Sequence, residues 1–247
     1  MSDITKAKVL RYNPAVDTKP YYETYDVPWT KFLSVLEVIR YIHDEIKPIA
    51  FDYSCRGAAC GLCGVMVDGK PALACVTPVP VGDVLIEPLA GFPVIRDLIV
   101  DKSEVENRLL GIRPWFSRSK PMTEPVTMPG DAYMRTAVLQ ECKSCLSCHV
   151  VCPVVKSKGF SVFAGPYILT KIAVRYYDTR EDVGFADERL KTAVDEGLSQ
   201  CILCGLCDEV CPSGKLVASP GFLDRQINHV QIFKDMMDAA KAKGWGS

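Results

Sequence analysis

Apolar positions in the first hundred residues of this chain change period several times. Lys8–Tyr12 and Tyr21–Val27 alternate, which predicts two strands joined by a Pro- and Asp-containing loop. From Phe32 to Ile46 the spacing lengthens, and Val35, Val38, Ile39, Ile42 and Ile46 fall on one face of a predicted helix. Ser34 and Glu37 supply a capping box at its start, and Pro48 lies just past its end. Gly64–Val67 and Ala72–Cys75 flank Asp68-Gly69, a dipeptide suited to a tight hairpin, and Val84–Glu87 reads as one more strand. A small mixed sheet crossed by one helix is the expected product.

Between Gly111 and Gly130 the pattern breaks. Pro114, Pro121, Pro125 and Pro129 forbid a continuous helix and mark a linker or an extended crossing segment. Beyond it, helical spacing returns over Tyr133–Glu141, Asp187–Leu198 and Asp224–Lys243, the last through Ile227, Val230, Phe233, Met237 and Ala240. The longest apolar tract, Phe160–Val174, is interrupted by Gly165, Pro166 and Lys171. No run approaches the ~18 apolar residues that would span a bilayer.

The twelve cysteines form three groups of four. Cys55, Cys60, Cys63 and Cys75 have C-x4-C-x2-C…C spacing, the ligand pattern of a plant-type [2Fe-2S] cluster. Cys142, Cys145, Cys148 and Cys152 read C-x2-C-x2-C-x3-C-P, as do Cys201, Cys204, Cys207 and Cys211 about sixty residues later. In a doubled run of this kind the last cysteine of each run ligates the other cluster. The expected sets are therefore Cys142, Cys145, Cys148 and Cys211 for one [4Fe-4S] cluster, and Cys201, Cys204, Cys207 and Cys152 for a second. Gly57, Gly61 and Gly64 in the first loop are expected to supply positive φ and close backbone approach.

The competing reading of the first group is a structural zinc site. The four-residue gap, the glycines and the distant fourth ligand argue against it. Cys145-Leu146-Ser147-Cys148-His149 also matches the C-x-x-C-H signature of haem attachment, which would remove two ligands from an otherwise complete run. Met1–Lys8 has no apolar stretch after its charges, so no signal peptide is expected and the cytoplasm is the expected compartment. A formal charge of −1 gives nucleic acid or an anionic membrane no electrostatic reason to bind. There is no P-loop, no GxGxxG behind a strand and no nucleophile–base arrangement, so no catalytic residue is assigned. His43 and His229 have no partner in sequence, and His149 reads as a neighbour of its cluster or as a surface residue.

The order of these groups resembles the iron–sulfur subunit of succinate dehydrogenases and fumarate reductases. Beyond the cysteines, the resemblance rests on Val9-Leu10-Arg11-Tyr12-Asn13-Pro14, on Tyr22–Val27, on Ser54-Cys55-Arg56-Gly57, and on the stretch from Pro88 to Leu98, which has no cysteine. It implies an α+β chain. A plant-type ferredoxin domain of β-grasp-like form would occupy residues 1–110, a Pro-rich linker 111–130, and an all-α two-cluster domain 131–247. It implies an FAD flavoprotein partner and electron flow from flavin through the three centres to a membrane anchor and quinone, with the chain peripheral on the inner face of the cytoplasmic membrane. Two departures bear on the exit. Many members hold [3Fe-4S] in the second run because they lack the cysteine that is here Cys204; four thiolates predict [4Fe-4S], with [3Fe-4S] as the alternative if Cys204 is not a ligand. A tryptophan expected after Cys152-Pro153 is absent, and Ile202 stands where a histidine often follows the first cysteine. Members with this four-cysteine run resemble forms whose third partner is a cysteine-rich, heterodisulfide-reductase-like protein.

Overall fold

A computed structural model describes residues 3–121, 123–213 and 226–245. By contacts the chain divides into two units, residues 1–102 with 143–150, and residues 103–142 with 151–247.

The first unit is built on a five-stranded sheet in the order β2-β1-β5-β3-β4. Its strands are β1 (Ile4–Arg11), β2 (Tyr21–Pro28), β3 (Gly64–Val67), β4 (Lys70–Leu73) and β5 (Gly82–Glu87). β1 pairs antiparallel with β2 and parallel with β5, and β3 pairs antiparallel with both β4 and β5. Strict alternation along β1 buries Thr5, Ala7, Val9 and Arg11 on one face. Helix α1 (Val35–Tyr41) lays Val35, Val38 and Ile39 against Val9, Val84 and Ile86 in the core of this unit. A short hairpin, β6 (Val94–Arg96) and β7 (Ile99–Val100), follows the sheet.

Two details of α1 differ from the sequence pattern. The Ser34–Glu37 capping box forms, so the helix begins at Val35 and not at Phe32, whose φ of 74° is incompatible with it. The chain then makes one π-helical turn over Ile42–Ile46. An i→i+5 turn rotates later residues out of the 3.6-residue register. Ile42 stays fully buried while Ile46 is 49% exposed, so Ile46 does not share the buried face.

The second unit is helical. Its helices α2 (Ser103–Gly111), α3 (Gly130–Gln140), α5 (Pro153–Lys158), α6 (Gly165–Tyr176), α7 (Val183–Asp195), α8 (Leu206–Val210) and α9 (His229–Ala242) surround a core containing Phe163, Ile168, Leu169, Ile172, Leu190 and Phe233. The interrupted apolar tract is the central helix α6, which touches α2, α3, α7 and α9. Gly165 and Pro166 open it, the first turn being where proline's missing N–H costs nothing. α9 starts at His229 with Asn228 as N-cap, later than the expected Asp224, and residues 224–225 lie outside those described. The remaining helix, α4 (Ser147–Val151), carries Cys148.

Candidate cluster-binding sites

The loop from Ser54 to Gly64 folds around a sulfur atom. Arg56 and Ala58 take positive φ (55° and 54°), each at about 1–2 kcal/mol for a residue with a Cβ. Gly61 also does so, whereas Gly57 and Gly64 do not. The winding aims the backbone N–H groups of Gly57, Ala59 and Cys60 at Cys55 Sγ, at 3.4, 3.2 and 3.3 Å. Those three donors hold the Cys55 thiol down to about 6, so it is a ready thiolate. Burial has the opposite effect on Cys63, pushing its thiol up to about 12 against a hydrogen bond from the Cys75 backbone. The Cys75 and Cys60 thiols face the Cys63 sulfur as well, so all four cysteines of the first group meet in one place. Ala74 N–H donates to the Cys63 carbonyl at 2.9 Å, fixing the distant fourth cysteine beside the loop. Converging N–H groups on a thiolate fit an iron–sulfur centre, whose anionic sulfurs such concave backbone recognises.

The doubled runs share a backbone device. Ser144 and Leu146, on either side of Cys145, have φ of 55° and 62°; Leu203 and Gly205, on either side of Cys204, have 55° and 83°. Alternating handedness turns successive N–H groups inward, so the sequence repeat is also a conformational one. Cys145 and Cys148 are buried in the first unit, and Cys145 Sγ lies 3.4 Å from the Ser147 hydroxyl. In the second unit Cys142 is half-buried and Cys211 buried.

Cys152, Cys201, Cys204 and Cys207 line one small apolar hollow with Val154, Pro166, Leu206 and Phe233. Cys152 is brought to the second run by its place at the start of α5, where the Val154 and Val155 N–H groups reach its sulfur. Burial raises the thiols of Cys152 and Cys201, and pushes Cys207 up to about 12. Removing thiols from water costs less when the lost hydration is replaced by metal bonds, so the donor set fits a metal-bearing site.

Beside this hollow stands a pair that sequence reading left without a role. His229, 2% exposed, places Nδ1 2.7 Å from Asp208 Oδ1, and its backbone N–H donates to the same oxygen at 2.6 Å. Burial would raise the Asp208 carboxyl, but the side-chain and backbone hydrogen bonds from His229 hold it below the ordinary carboxylate range. One donor atom each from Cys207, Asp208 and His229 lie within 4.8 Å of one another. His43 plays a local part, its Nδ1 meeting the Ile49 backbone at the end of the π turn. His149 is buried and stacks on Phe92 with ring centroids 5.6 Å apart. Among the described residues no helix is long and apolar enough to cross a membrane.

Comparison with known proteins agrees with this chemistry. Residues 6–107 match a 2Fe-2S iron-sulfur cluster binding domain, and residues 137–215 a 4Fe-4S dicluster domain. The chain is 34% identical over 224 residues to the fumarate reductase iron-sulfur subunit of Mycobacterium tuberculosis, covering 87% of this chain and 88% of that one. It is 39% identical over 206 residues to one subunit of the fumarate reductase (CoM/CoB) of Methanothermobacter marburgensis, covering 83% of this chain but only 40% of that longer protein. A chain of the Mycobacterium smegmatis Sdh1 complex, solved in the apo form, superposes with a TM-score of 0.81 at 26% identity, covering 99% of this chain and 98% of that one.

Proposed function

Because this chain belongs to the iron–sulfur subunits of the succinate dehydrogenase and fumarate reductase family, we propose that it carries electrons between the FAD of a flavoprotein subunit and a quinone or membrane-associated partner. Cys55, Cys60, Cys63 and Cys75 would hold [2Fe-2S]. Cys142, Cys145, Cys148 and Cys211 would hold a [4Fe-4S] cluster, and Cys152, Cys201, Cys204 and Cys207 a second one. When bound, such centres take up and release single electrons. The polypeptide shields the thiolates, aims N–H groups at their sulfurs and leaves water only partial access. The succinate/fumarate chemistry would belong to the flavoprotein, and a peripheral place on the cytoplasmic membrane would come through partner subunits.

The observation that carries this reading is where the exposed ligands fall. The first and last groups each have one exposed cysteine, Cys55 and Cys204, beside buried ones, whereas the middle group has none, with Cys142 half-buried and Cys145, Cys148 and Cys211 buried. One exposed ligand at each end of the series suits a relay whose end centres take up and release electrons.

A second reading replaces the quinone with a thiol or cysteine-rich electron partner. It is favoured by Ile202, 64% exposed where a polar quinone-site residue would stand, and by the presence of Cys204. The name of the Methanothermobacter relative, which specifies CoM/CoB, points the same way. Anaerobic purification of the native protein with its bound subunits tests both. A flavoprotein with a multi-span haem protein supports the quinone-linked form, and a flavoprotein with a cysteine-rich subunit supports the rerouted one. Recovery without any flavoprotein overturns the proposal.

A further inference from the structure

The segment Lys143–Val150, which contains Cys145 and Cys148, is part of the first unit although forty residues of chain, 103–142, separate it from the rest of that unit. Its seat there is made of backbone. Gly61, at φ +73°, lies directly beneath it. A Cβ at that position would collide with the Lys143 carbonyl oxygen and stand 2.9 Å from Cys145 N and 3.0 Å from the Lys143 carbonyl carbon. At Gly64 a Cβ would lie 3.1 Å from the Cys145 carbonyl oxygen and 3.1 Å from Leu89 Cδ1. Leu89 in turn packs with Val150, Met66 and Val100, and Phe92 stacks on His149. The stretch from Pro88 to Leu98, which carries no cysteine, thus forms a shelf for the middle of the first run.

We propose that Gly61, assisted by Gly64 and the Leu89/Phe92 shelf, is the positioning residue for electron transfer between the first two centres. The inference rests on the cluster assignments proposed above. Only a residue without Cβ lets the backbone carrying Cys145 touch the loop carrying Cys60 and Cys63, and that contact sets the gap the electron must cross. The step moves one electron. The donor centre is oxidised by one equivalent and the acceptor reduced by one, with no bond or proton changed.

The test is Gly61→Ala in the full-length, iron-loaded chain. Two readouts apply: the magnetic interaction between the two reduced centres by EPR relaxation, and the delay between reduction of the first and second signals in rapid-freeze samples. The expected result is a weakened interaction and a several-fold longer delay, with iron content and the individual line shapes retained. An unchanged interaction and delay in fully loaded Gly61→Ala protein overturns the proposal. If Gly61→Ala does not take up its full iron, Gly64→Ala decides by the same two readouts, because one of its clashes is with a flexible leucine tip. Wild-type protein without a [2Fe-2S] spectrum would overturn the functional reading itself, an outcome distinct from an unchanged interaction.

Discussion

Cys204 is exposed, with Ile202 before it in the loop and Leu206 after it at the start of α8. If it is the fourth ligand of the last centre, Cys204→Ser should leave three good thiolates and convert the oxidised protein from EPR-silent to one with a strong [3Fe-4S] signal. The same signal at full intensity in undamaged wild-type protein would show that Cys204 is not a ligand. A different kind of residue sensitivity involves no cysteine. Arg11 and Asp97 are 6% and 2% exposed, and Arg11 Nε donates to Asp97 Oδ1 at 3.0 Å. Asp97 also accepts from the Tyr12 and Ala50 backbones, while Arg11 donates to the Pro48 carbonyl at 2.7 Å. The pair therefore ties β1 to two loops. Asp97→Ala removes the buried counter-charge of Arg11, leaving it the partly exposed Glu23 at 3.3 Å, and should cost about 3 kcal/mol in denaturant unfolding of the sheet unit. Asp97→Asn, which keeps an acceptor, should cost less. The cysteines were legible in sequence because their spacing is itself the chemistry. The Asp208–His229 pair was not, since folding alone brings together residues twenty-one positions apart.

The Pro-rich stretch after α2 shows how an element can be read correctly in kind and still hide its role. The prolines do exclude helix, and among the described residues none forms between α2 and α3. Yet part of the stretch is pinned in place. Arg189 on α7, 4% exposed, donates to the carbonyls of Ile112, Arg113 and Trp115, and pairs with Glu181 at 3.0 Å. Glu181 accepts from the Ser117 backbone in turn, and Asp182 from that of Ser119. Extended chain cannot satisfy its own backbone groups, so a buried arginine with five donors does it instead. Arg189→Met should strand three carbonyls and the Glu181 carboxylate. The expected result is rapid proteolytic nicking between residues 112 and 119, with the wild-type chain resistant under the same conditions. No sequence pattern announced this, because the donor sits over seventy residues from its acceptors. α6 was hidden for another reason. Gly165, Pro166 and Lys171 looked like interruptions of an apolar tract, but the first two start the helix, and Lys171 directs its ammonium over the Tyr167 ring at 5.4 Å.

At the scale of the whole chain, the two units depend on iron to different degrees. The sheet unit has an apolar core from Ala7 to Leu98 in which strand and helix side chains far outnumber the two proposed ligands, Cys63 and Cys145. In the helical unit, α5 and α8 are six and five residues long, too short to persist alone, since isolated helices under about 12 residues are marginal in water. Each ends or begins at a proposed ligand, Cys152 before α5 and Cys211 after α8. Under crossed ligation, each cluster bonds residues from both runs, so binding energy for iron becomes folding energy for the segments it joins. Cys211→Ser removes one such bond, whereas Cys60→Ser removes a ligand from a loop on the already folded sheet. Cys60→Ser should therefore lose or perturb the [2Fe-2S] spectrum while keeping most of the helical circular dichroism and both other centres. Cys211→Ser should lose helical signal together with iron, and limited proteolysis should then leave a resistant fragment from the sheet region. If Cys211→Ser instead proves the better folded of the two, the runs are not stapled to each other and each must bind its cluster within itself.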